Sequence, residues 1–109
     1  MPGFIGKKLC PEMIFVKPDV NKYKKVTEEI KELLKEFDQY VETPSPDEFL
    51  LDVTSYLKDK DLEHDLGKIY TGDRIRKTIT DKMSLTGSCG VACNRLLAKV
   101  CADYNKPDA

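Results

Sequence analysis

Two adjacent carboxylates, Asp47 and Glu48, are the side chains whose type and setting best suit chemistry. They follow Ser45-Pro46 and precede the apolar run Phe49-Leu50-Leu51, so they stand where a turn enters a strand. A hard divalent ion such as Mg²⁺ takes carboxylate oxygens of this kind and fills its other positions with water and phosphate oxygens. Successive side chains of a regular strand point to opposite faces, so sharing an ion requires a bent backbone, which Pro46 supplies. The bland alternative is a pair of solvated acids at a turn. Thiol chemistry has less to work with: Cys10, Cys89, Cys93 and Cys101 lack the C-x-x-C pairs of a zinc ribbon, and His64 is the lone imidazole. These cysteines are expected to be reduced and mostly buried, in a reducing compartment. A cysteine-based metal or redox protein is kept as a third reading.

The elements that position these groups belong to a single domain. A chain of 109 residues is one domain's worth and long enough to bury one core. With 40% hydrophobic and 34% charged residues, it has a globular composition rather than a disordered or fibrous one. No apolar run approaches the length of a membrane span, and no apolar stretch follows Lys7 and Lys8 to make a cleaved signal peptide. No membrane partner is expected. Lys and Arg number 18 against 19 Asp and Glu, a net charge of −1. A protein that grips DNA alone usually carries a basic excess, because phosphate neutralisation supplies most of the affinity. This chain has none.

Periodicity predicts the order β-α-β-β-α-β-α. Residues 12–17, apolar between Pro11 and Pro18, read as a short buried strand. Asp19 then caps a helix whose Val20, Tyr23, Val26, Ile30, Leu33, Leu34 and Phe37 recur at helical spacing as a core stripe. Residues 40–43 and 49–54 read as strands, broken by Pro44-Ser45-Pro46-Asp47. Residues 58–65 read as a solvated loop, and Asp73 as the cap of a second helix reaching Lys82. Residues 83–91 read as a strand holding Gly87 and Gly90. Residues 94–104 form the last helix, with Leu96, Leu97, Val100 and Cys101 inward and Asn105-Lys106-Pro107 ending it. The fold class is α+β: a mostly antiparallel sheet with helices packed on one face, close to ferredoxin-like.

Four ordered stretches then carry a resemblance. Ser45-Pro46-Asp47-Glu48-Phe49-Leu50-Leu51-Asp52 resembles the S-x-D-E-x-x-L-D motif of Y-family (translesion) DNA polymerases. Residues 1–11, MPGFIGKKLCP, resemble the M-P-G-F-I-A-K-K-L-C-P fingers segment of that family's kappa/DinB branch. Residues 85–92, LTGSCGVA, resemble L-T-A-S-A-G-I-A of the palm. Residues 94–101, NRLLAKVC, followed by Asn105-Lys106-Pro107, resemble N-x-x-L-A-K-V-C and N-K-P. Pro46 and Phe49-Leu50 depart from the family, which has an aliphatic residue and Ala-Tyr at those places.

The resemblance implies a fragment: the tail of the fingers at residues 1–11 and the palm at 12–109. The first palm strand, with its metal-binding Asp, would lie upstream of Met1, leaving the palm incomplete at its N-terminus. Thumb and little finger would follow Ala109. Asp47 and Glu48 would be catalytic carboxylates on two Mg²⁺ ions shared with that absent Asp. Lys106 would contact the triphosphate of the incoming nucleotide, and Met1 would fall near the nascent base pair. The parent would be a DNA-directed DNA polymerase of damage bypass, with primer–template DNA and dNTP as partners and the nucleus as its compartment. The fragment alone is expected to be inactive and to bind DNA weakly or not at all, and its oligomeric state is open. The alternative is a non-catalytic ferredoxin-like interaction module derived from or resembling the palm.

Overall fold

A computed structural model describes residues 1–104 and 106–109. The elements run α1 (Gly3–Leu9), α2 (Val20–Leu34), β1 (Glu42–Ser45), β2 (Glu48–Leu50), α3 (Thr54–Asp59), α4 (Asp65–Met83) and α5 (Arg95–Tyr104). The class is α+β with an antiparallel sheet, as the periodicity implies. That sheet is the β1–β2 hairpin alone among the described residues.

α2 forms where its pattern requires. The Asp19 carboxylate accepts a hydrogen bond from Lys22 N at 3.0 Å, satisfying one of the amides that a helix start leaves unpaired. Its inward residues Ile30 and Leu34 join Phe37, Val41 and Ile75 of α4 in the core. Val26, Phe49, Leu51, Val53, Tyr56, Ile79 and Met83 close around them. The Phe37 and Tyr56 rings meet with centroids 5.0 Å apart, which ties α3 to the end of α2 at a favourable aromatic separation. Val20 and Tyr23, at the solvent end of the same stripe, stay exposed.

In the hairpin, Glu42 pairs with Leu50 and Ser45 with Glu48, and the ladder is irregular between Glu42 and Ser45. Pro44 lies in that irregular stretch and has no N–H to give a ladder. Pro46-Asp47 is therefore a two-residue turn, shorter than the break expected over residues 44–47.

Several expectations are corrected. Residues 12–17 and 84–94 contain no strand or helix. Their apolar, glycine-punctuated sequences favour extension, but a strand needs a ladder of hydrogen bonds to a neighbour; residues 84–94 make one backbone bond of that kind, Cys89 N to Ala109 O at 2.7 Å, and no ladder forms among the described residues. Ile14, Phe15 and Val16 are exposed rather than buried. Residues 3–9 form a helix that periodicity missed, and residues 54–59 form α3 where strand and loop were expected. α4 begins eight residues before Asp73, at Asp65. Its cap is His64, whose Nδ1 accepts from Gly67 N at 3.0 Å. Asp73 is consequently mid-helix. Gly67 sits against the Leu62 backbone, where a Cβ has no room, which is why an early glycine does not end α4.

α5 does span Arg95–Tyr104, with Asn94 Oδ1 accepting from Leu97 N at 2.9 Å. Its expected inward residues Leu96, Leu97, Val100 and Cys101 are all exposed. The face that approaches the body is instead the one against Gly90, where a side chain would collide with Ala98 O and Ala102 N. All four cysteines are free; Cys10, Cys93 and Cys101 are exposed and Cys89 is half-buried, against the expectation of burial. Asn105, expected to help end α5, lies outside the described residues. No helix among the described residues is long and apolar enough to cross a membrane.

The molecule measures 53 × 27 × 23 Å with a radius of gyration of 16.4 Å, against about 13 Å for a compact chain of this length. One small core thus supports an open layer. Leu34→Ala, emptying a site that is 1% exposed, is expected to cost about 2–5 kcal/mol in urea unfolding. Leu96→Ala, at a site 73% exposed, is expected to stay within about 0.5 kcal/mol. Equal losses would mean that the outer face of α5 is core.

Candidate functional site

The hairpin turn is held from beneath. Thr27, on α2 and 8% exposed, directs its hydroxyl at Pro46 O, 2.6 Å away, with Tyr23 O at 2.9 Å. One proton is shared between two carbonyls, and the nearer belongs to the turn. Asp38 holds the other end of the hairpin: Oδ1 accepts from Tyr40 N and Oδ2 from Asp52 N, both at 2.9 Å. A single carboxylate thereby spans the chain entering β1 and the chain leaving β2.

Asp52 lies two residues before α3. Its Oδ1 accepts from Thr54 Oγ1 at 2.6 Å and Thr54 N at 3.0 Å. The Thr54 hydroxyl, followed by the Thr54 amide, holds the Asp52 carboxyl below its ordinary value.

The two predicted carboxylates have different partners. Asp47 lies in the turn, exposed, its Oδ1 accepting from Ser45 Oγ at 2.8 Å. Glu48 opens β2, and its Oε1 lies 2.5 Å from Lys99 Nζ on α5. Lys99 also lies 3.4 Å from Asp103 Oδ2, while Asp103 Oδ1 is 2.9 Å from Lys106 Nζ. Glu48 and Lys106 are thus brought into one line of alternating charge, although they do not touch. A second tie, Glu42 Oε2 to Arg95 Nη2 at 3.2 Å, joins α5 to β1, the other strand of the hairpin. Arg95, Lys99 and Asp103 follow one another at four-residue steps, so one stripe of α5 faces the hairpin.

The hydrogen bond from Lys99 to Glu48 raises the Lys99 pKa. The Asp103 pKa is lowered, first by the hydrogen bond from Lys106. From sequence Lys99 figures only within the N-x-x-L-A-K-V-C stretch, and neither it nor Asp103 carries a site role there. Their four-residue spacing is a signal for an ion pair on α5, but nothing in the sequence points that pair at Glu48.

As donors, exposed Asp47 and half-buried Glu48, whose Oε1 already faces Lys99, offer carboxylate oxygens and no soft atoms, which suits Mg²⁺. Among the described residues no three His, Cys, Asp or Glu side chains gather as a metal-holding group. His64, spent as a helix cap, takes no part.

Residues 1–103 match the model of the impB/mucB/samB family. The chain belongs to that family. Over 108 residues it is 41% identical to a DNA polymerase kappa of Arabidopsis thaliana and 38% identical to a DNA polymerase IV of Stenotrophomonas maltophilia (strain R551-3), in each case over 99% of this chain. Among solved structures, an insertion ternary complex of Dbh DNA polymerase matches 99% of the chain at 30% identity and a TM-score of 0.87. DinB from Sulfolobus solfataricus matches at 31% identity and a TM-score of 0.81. The Y-family resemblance of the motifs is thereby borne out. This impB/mucB/samB chain spans 16% of the plant relative, 29% of the bacterial one and 30% of each of the two solved chains. The open α5 face and unpaired extended segments thus occur in a chain much shorter than its relatives.

Thr27→Val is expected to lower stability by about 0.5–1.5 kcal/mol and to speed hydrogen exchange at the Asp47 and Glu48 amides. Unchanged exchange there would remove Thr27 as the anchor of the turn. A depressed carboxyl stabilises the fold above its unfolded pKa, and that contribution is lost as pH falls through the folded value. The Asp52–Thr54 contact should therefore persist below the ordinary carboxylate range. Carbon-detected titration should place Asp52 low, and Thr54→Ala should return it upward; a native Asp52 at the ordinary value would contradict this.

Proposed function

We propose that this chain is the end of the fingers (residues 1–11) and the palm (residues 12–109) of a translesion DNA polymerase, which transfers a nucleotide from dNTP to a primer 3′-OH. The carrying observation is that Asp47, exposed, and Glu48, half-buried, stand side by side at an anchored hairpin turn, with Glu48 joined through Lys99 and Asp103 to Lys106. The family membership and the polymerase names of the relatives support the reading.

Asp47 and Glu48 would hold Mg²⁺ together with a carboxylate from outside this chain. When bound, two such ions lower the pKa of an attacking hydroxyl and steady a departing pyrophosphate. The chain's own part is placement. Thr27 and Asp38 fix the turn, so the carboxylates need little reorganisation to meet a substrate. Lys106 supplies a compact positive charge for a triphosphate. Damage bypass, primer–template DNA and dNTP are the parent's role and partners on this reading. The nucleus is the compartment that the kappa-like segment at residues 1–11 supports.

In the parent enzyme, Asp47→Asn or Glu48→Gln is expected to reduce primer extension on the order of 10³-fold, the scale of losing several kcal/mol of metal-borne stabilisation, with duplex binding retained. The 109-residue chain alone is expected to extend no primer and, at a net charge of −1, to bind duplex weakly. Full extension by both variants would sink the assignment of these two residues. Extension by the isolated chain would refute its dependence on the rest of the enzyme.

A further inference from the structure

Glu48, Lys99, Asp103 and Lys106 form an unbranched chain of ion pairs in which each inner member faces one partner on either side. Lys99 divides its ammonium between Glu48 Oε1 at 2.5 Å and Asp103 Oδ2 at 3.4 Å. Asp103 divides its carboxylate between Lys99 at Oδ2 and Lys106 at Oδ1, the latter at 2.9 Å. Any charge that engages Glu48 relaxes its hold on Lys99. The freed ammonium is then drawn toward its second partner, Asp103, and competes there with Lys106.

We infer that Lys99 and Asp103 are positioning residues that couple the hairpin carboxylate to Lys106, holding the Lys106 ammonium on Asp103 until Glu48 is engaged and then releasing it. This rests on the reading of Glu48 as a ligand of a divalent ion and of Lys106 as a polyphosphate contact. It adds an order to them, with the anion-binding lysine made available by events at the carboxylate. The pairs suit such a role because they are half exposed: side-chain exposures run from 44% to 57%. Exposed pairs are individually weak and exchange partners at little cost. Coupling of this kind is reciprocal, so a polyphosphate on Lys106 also strengthens the hold of Asp103 on Lys99 and loosens Glu48.

The test uses the chain itself and reads the Lys106 ε-methylene signals by NMR in four forms: native, Glu48→Gln, Lys99→Met and the double variant. Glu48→Gln removes the charge that a bound cation would neutralise. It is expected to shift the Lys106 signals in the native background and to leave them unmoved in the Lys99→Met background. Equal shifts in both backgrounds, or none in either, would overturn the coupling. Backbone amide spectra confirm folding, and Asp103→Asn interrupts the same chain if Lys99→Met does not fold. In a second arm, Mg²⁺ alone is added to the native chain, and the Glu48 carboxyl and Lys106 signals are expected to move together. A Glu48 carboxyl that ignores Mg²⁺ would count against Mg²⁺ binding by this chain's two carboxylates without the outside ligand, while the substitution arm still decides the coupling. A Glu48 response with Lys106 still would overturn the coupling and keep the metal reading.

Discussion

The hydroxyl of Thr27 against the carbonyl of Pro46 is the contact on which the site depends. A two-stranded hairpin is marginal by itself in water, and this one has short strands and an interrupted ladder. It becomes a platform because a buried side chain on α2 reaches its turn, and because Asp38 binds the amides of Tyr40 and Asp52 at its two ends. The core beneath is small, but Leu34 and Phe37 within it are almost wholly buried. Rigidity travels from that core through α2 to Thr27 and from Thr27 to the turn. The two carboxylates stand at the end of that path.

What was legible in the sequence follows the range of each signal. Asp19 capping α2, the Ile30–Leu34–Phe37 stripe, the proline-bent turn and Asn94 opening the last helix are local patterns, and local physics decides them. Residues 12–17 and 84–91 failed for the opposite reason. Their apolar residues announce extension, but pairing is settled by a neighbour far away in sequence, and among the described residues no neighbour forms a ladder with them. His64 and Asp73 show a subtler failure. Both are able to cap, and the choice fell to His64 because Gly67, which looked like punctuation, is packed against the Leu62 backbone inside the helix. The amphipathic pattern of α5 marked its apolar face correctly, yet that face is exposed here. Periodicity identifies a face fit for burial, not whether this chain supplies the cover.

The candidate site divides along the same line. Asp47 and Glu48 stood out as neighbours in a turn, and Lys106 through a family motif. Lys99 lies 51 residues from Glu48 in sequence, so only folding reveals that the two meet. Sequence could mark the ends of the charged line but not its middle.

That line lies in water, and its behaviour follows the ionic medium. At 0.15 M salt the Debye length is about 8 Å, so the direct pairs, at 2.5 to 3.4 Å, are screened less than any pull between charges farther apart. Salt therefore weights communication from Glu48 to Lys106 toward the contact-to-contact route and away from the open field. Dilute buffer would blur that distinction by letting the ends sense each other directly. Moderate salt isolates the stepwise route, which makes ionic strength a control on how information crosses this small surface.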